Sequence, residues 1–162
     1  MSGKFIKQLH YEFKYKDPKK RVSGTMVLEL DRFEGQFSRA QWMLDNMVMQ
    51  SMIPYMPMQT GTFINVTKGM SDAIAGSGKV VAAAPPMGRF LYEGLLMVDE
   101  LTGSPYARKG AKKVLAQGPV MLQYSQHAHP SVTSHWFDTA KKNHGKQWIR
   151  AVKQEAGGGT RG

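Results

Sequence analysis

The chain has no cysteine. That excludes disulfides and every thiolate-based zinc site, and it fits a reducing compartment. It has no apolar run near the roughly 18 residues of a membrane span. Nothing at the N-terminus reads as a signal peptide, because Lys4, Lys7 and His10 interrupt the apolar residues. The expectation is a soluble chain made in a cytoplasm, without a membrane partner. No internal repeat is visible. A length of 162 residues is that of one domain with arms. A chain of this size buries roughly 70% of its unfolded surface and needs no covalent staples.

The chemistry-bearing patterns are also thin. Gly76-Ser77-Gly78-Lys79 imitates the end of a phosphate-binding loop, but Ala73 and Val80 stand where the full pattern needs Gly and Ser or Thr. It reads as a Gly/Ser loop. His127, His129, His135 and His144 invite a metal, but no His-Glu-x-x-His helix accompanies them. His144 falls on an aromatic stripe, where it reads as a packing histidine. No serine stands in a Gly-x-Ser-x-Gly elbow. Asp99-Glu100 is the one adjacent acid pair of the body. We expect no catalytic residue, no cofactor and no resident metal; a small hydrolase is the weakest of the readings.

What is present is positive charge, placed at the ends. The net charge is +10. Residues 1–23 carry seven Lys/Arg against two acids, and residues 141–162 carry six against one, whereas 24–140 carry nine of each. Basic ends on a neutral body point to nucleic acid or an acidic partner, or else to solvated tails. Arg108, Lys109, Lys112 and Lys113 add a basic cluster in a polar loop, beside Tyr106. That cluster could touch phosphates.

Local patterns outline the elements. Tyr11, Phe13 and Tyr15 alternate with polar residues, as in a strand, and Asp17-Pro18-Lys19-Lys20 reads as a turn. Gly24–Phe33 is a second strand. Ser38 and Gln41 form a capping box for a helix over about 38–53, ended by Pro54. Its core stripe is Phe37, Ala40, Met43, Leu44, Met47 and Val48. A second stripe, Trp42, Met49 and Ile53, lies opposite. Either loops of the same chain cover it, or another subunit does. Thr62–Lys68 and Lys79–Ala84 read as a hairpin, and Arg89–Tyr92 with Leu95–Val98 as a further strand pair. Pro119–Tyr124 is the last strand candidate. A C-terminal helix over about 133–155 carries Trp136, Phe137, Ala140, His144 and Trp148 on one stripe, and Asp138, Lys142, Lys146, Arg150 and Lys153 on the other face. Gly145 permits a kink in it. The fold class is therefore α+β: a small, mostly antiparallel sheet packed against one long helix, with the C-terminal helix alongside. The division is a basic arm over 1–23, one domain over 24–155 and a tail over 156–162.

One order of motifs goes further. A helix, then Tyr55-x-Pro57-x-x-Thr60-Gly61, then β-rich runs, then Trp136-Phe137-x-x-Ala140-Lys141 before a basic helix resembles the minor capsid and tail-completion (head–tail joining) proteins of long-tailed bacteriophages. The resemblance covers roughly residues 24–154. It implies a virion protein of the neck and not an enzyme. It also implies a homo-oligomeric ring, a hexamer, between head connector and tail, with a lumen that DNA crosses. Neighbouring rings would be the head-completion or connector protein and the tail terminator or tube. Trp42, Met49 and Ile53, with Tyr11, Phe13 and Tyr15 of the arm, are then the candidate subunit contacts. Arg108, Lys109, Lys112 and Lys113 would face DNA or the next ring. The alternative is a nucleic-acid-binding module using the basic termini.

Overall fold

In the computed structural model the described residues are 10–17, 22–118 and 120–157. Strand β1 (His10–Asp17) pairs antiparallel with β2 (Val22–Glu29), in a register that sets His10 opposite Glu29 and Asp17 opposite Val22. The alternating segment and the following strand thus form one hairpin. A boundary at residue 23 falls inside β2.

Through Leu30 alone, β2 passes into the long helix α1 (Asp31–Met52). The helix starts seven residues before Ser38, which corrects the expected cap. No side chain caps it; instead Phe33 N and Glu34 N donate to Leu30 O at 3.0 Å. Arg39 Nε meets Glu155 Oε1 at 3.2 Å, which ties the first half of α1 to the far end of α4. A 3-10 turn over Ile53–Tyr55 follows, with Pro54 ending the α-helical pattern as expected.

Helix α4 (Trp136–Glu155) runs antiparallel to α1. Arg39 meets Glu155, Ser51 meets Trp148, and Tyr55 meets Asn143 and His144. Gly145 does not break it. Between the two helices lies the core: Val48, Met49, Met52, Met56, Trp136 and Trp148, with Ile64 and Ala140. Three methionines suit this position, because unbranched thioethers fill the irregular space around two indoles. Trp136 is fully buried, edge-on to Phe63 and Tyr92 at centroid distances of 6.0 and 4.8 Å, and its Nε1 donates to Ala82 O at 2.8 Å. The expected stripe of α4 faces inward, and Asp138, Lys142, Lys146, Arg150 and Lys153 are all exposed.

The middle of the chain departs from expectation. Residues 62–72 form helix α2 (Thr62–Asp72), not a strand. Ile64, Thr67 and Ser71 are its buried residues, a helical spacing. Residues 79–84 are not a strand either, but lie along α2. Ser71 Oγ donates to Val81 O and accepts from Val81 N, both at 3.0 Å, and Thr67 Oγ1 accepts from Ala84 N at 3.1 Å. Two hydroxyls on a helix thus do what a strand partner would do. Helix α3 (Gly88–Glu93) replaces the expected strand over 89–92. Gly88 is required there, since a Cβ would come within 2.5 Å of the Ala83 carbonyl carbon. Strand β3 (Met97–Asp99) pairs antiparallel with β4 (Lys113–Leu115), which lies inside the stretch expected to be loop. Of the strand expected over 119–124, a single bridge from Met121 to Leu95 is formed. The class is α+β, with a long helix and a C-terminal helix packed together and the strands in two-stranded antiparallel ribbons.

Candidate assembly surface

The second stripe of α1 changes character along its length. Met49 is 1% exposed and belongs to the core. Ile53 is half-buried against that core. Trp42 is 57% exposed. Helix α2 and its neighbours cover the C-terminal half of α1, where Met49 and Ile64 share one cluster. The N-terminal half stays open on that side. Met49 and Ile53 therefore do not form one surface with Trp42.

Trp42 has other companions. It lines a shallow groove with Ala73, Ile74 and Gly76, and a Cβ on Gly76 would lie 3.8 Å from its indole Cδ1. Val66 and Met70 on α2, and Ile74 in the turn just past its end, recur at every fourth residue and are 37 to 46% exposed. That spacing puts Val66 and Met70 on a face that flanks the one burying Ile64, Thr67 and Ser71. Lys68 and Asp72, beside them, are paired with each other. The result is an apolar stripe on rigid helix, continued by an indole. Sequence reading missed the α2 residues because Thr-Phe-Ile-Asn-Val-Thr looks like strand. Counting in fours from Val66 is the signal that would have found them.

The Gly/Ser loop has a job of its own. Gly76 and Gly78 adopt φ of +88° and +75°, a region that favours glycine. Their N–H groups converge on Asp45 Oδ2 at 2.8 and 3.1 Å, while Gln41 Nε2 donates to Asp45 Oδ1 at 2.7 Å. The loop does cradle an anion, but the anion is a nearly buried carboxylate of its own chain.

The basic loop is partly spent in the same way. Asp99, nearly fully buried, accepts from the backbone N–H of Leu101, Thr102 and Arg108, and from Arg108 Nε and Nη2 at 3.1 and 3.2 Å. The Arg108 guanidinium, and then those N–H donors, hold its carboxyl well below the usual carboxylate range; the pair in turn raises Arg108. Lys113 Nζ donates to Pro105 O at 2.6 Å and lies over the Phe90 ring at 4.8 Å. Lys109 and Lys112 are exposed. The structure therefore leaves two of the four expected cations outward and uses two to close the loop. Side chains of Tyr11, Phe13 and Tyr15 lie outside the described residues.

The histidines are scattered. His129 Nδ1 meets Met56 O at 2.7 Å, His135 Nε2 meets Glu93 Oε2 at 3.4 Å, and His144 Nε2 meets the Tyr55 hydroxyl at 3.3 Å. Among the described residues no three metal-ligating side chains converge. A groove of about 250 Å³ lies between residues 57–63 and 123–125, with Met87 and Leu91. No carboxylate, histidine or lysine lines it. Its Tyr124 hydroxyl donates to Leu91 O, and burial pushes that phenol up. Among the described residues no helix is long and apolar enough to cross a membrane.

Comparisons with protein families, with curated proteins and with solved structures find no match.

Proposed function

We propose that this chain is a structural protein of a bacteriophage neck. It assembles with copies of itself into a ring, a hexamer, which completes the tail and joins it to the head connector. The ring stacks on neighbouring neck rings in the virion and leaves a lumen for DNA, and its work is binding alone. One observation supports self-assembly above the rest: the exposed apolar side chains of Trp42 on α1, Val66 and Met70 on α2, and Ile74 in the turn that follows it. Contiguous apolar groups on rigid helix cost free energy in water and gain it on meeting a complementary surface. The order of motifs between Tyr55 and Lys141 supports the neck in particular.

Light scattering after gel filtration, with negative-stain microscopy of the same fractions, tests this. The expected result is a closed ring with a central hole, its mass unchanged between low and high salt, because apolar contacts survive screening. A monomer at every salt concentration would refute it.

A further inference from the structure

We propose that the outward face of α4 binds the phosphate backbone of double-stranded DNA without regard to sequence. Lys142, Lys146, Arg150 and Lys153 are all exposed. At 100° per residue they fall within an arc of about 80°. They span about 16 Å of helix at 1.5 Å per residue. Among the described residues none of the four has an ion-pair partner within the chain. No acid occurs between Thr139 and Gln154. Of the two acids on the helix, Asp138 sits in the first turn, and Glu155 is drawn to Arg39 on the α1 side. The stripe is therefore of one sign over its whole length, on a helix packed along α1.

A duplex carries one negative charge per about 1.7 Å of its axis, so about ten phosphates lie along that length. Any register offers more anions than the four cations can use. The arc itself holds four cations and no amide or carboxylate, a set that suits phosphate contacts, which carry no sequence information. An acidic protein partner fits less well. Protein interfaces centre on apolar and aromatic groups, and the exposed apolar residue of this helix, Ile149, lies at the edge of the arc. The proposal needs neither a ring nor a particle, so it stands or falls apart from the reading above.

The test uses the full chain and a fluorescent duplex of arbitrary sequence, followed by anisotropy between about 50 and 200 mM salt. Four phosphate contacts contribute a salt slope of about −3.6, which is about a 150-fold loss of affinity over that range. Exchanging Lys142, Lys146, Arg150 and Lys153 together for Gln should remove that share of the slope. Lys146→Gln alone should remove about one unit and keep the wild-type melting curve, and it carries the test if the fourfold variant does not fold. A second duplex of unrelated sequence should bind equally. The proposal is overturned if the variants keep the wild-type slope, if one sequence is strongly preferred, or if polyglutamate at equal charge binds as tightly as the duplex.

Discussion

Helices α1 and α4 meet through large apolar side chains, whereas the segment between them, residues 57–131, adds to its apolar contacts a set of polar side chains that capture backbone. Met49, Met52, Trp136 and Trp148 fill the first contact. In the second, Asp45 grips the 76–78 turn, Thr67 and Ser71 grip 81–84, Asp99 grips 101–108, and His129 reaches Met56 O. The difference follows from composition. The stretch between residues 69 and 119 is rich in Gly, Ala, Ser and Pro, so many of its side chains are small. Its backbone N–H and C=O groups still need partners away from water, and short polar side chains on the helices supply them. No buried side-chain N or O among the described residues is left without a partner.

The contrast can be broken from either side. The largest effect is expected from the apolar side. Trp136→Ala removes a fully buried indole and the anchor to Ala82 O, and should cost about 3–5 kcal/mol in thermal or denaturant unfolding. On the polar side, Asp45→Ala strands the N–H groups of Gly76 and Gly78 and should cost about 1–3 kcal/mol. Amide exchange should then quicken at those two glycines first, with the α1–α4 contact still protected. A smaller effect should come from acid. The Asp99 carboxyl is held low in the fold, so its contribution is present above the ordinary carboxylate value near about pH 4 and is lost as pH falls below it. Melting points of wild type should therefore drop more steeply below about pH 4 than those of Asp99→Asn. Smallest of all, Lys146→Ala on the open face of α4 should change stability by less than about 0.5 kcal/mol.

Those two regions also differ in how far they could be read. In α4 the wheel of Trp136, Ala140 and Trp148 against Lys142, Lys146 and Arg150 was legible, because one apolar stripe and one partner helix suffice to define it. The core stripe of α1 was legible in part: Ala40 and Val48 are buried and Leu44 and Met47 pack against the core, whereas Phe37 is exposed. Its start was not: the helix begins at Asp31 without a side-chain cap, so the Ser38 and Gln41 pattern pointed to the wrong turn. Helix α2 was misread because its β-branched residues favour strands, while burial of Ile64, Thr67 and Ser71 at helical spacing overrode that preference. The same polar captures explain why residues 79–84 need no strand partner. At the candidate surface, Trp42 was legible as outward. Met49 was not legible as core, because one stripe of a helix can be covered at one end and open at the other. Val66, Met70 and Ile74 were hidden by the strand reading.

The central claim is that an apolar face on α1 and α2 joins copies of this chain. The most direct measurement is the molar mass of wild type against Met70→Glu with Ile74→Glu, by sedimentation at matched concentrations. Both side chains are partly exposed on a solvent-facing stripe, so the variant should keep the wild-type melting curve of the monomer fold. The account predicts an assembly for wild type and a monomer for the variant. A variant that assembles as fully as wild type would contradict it.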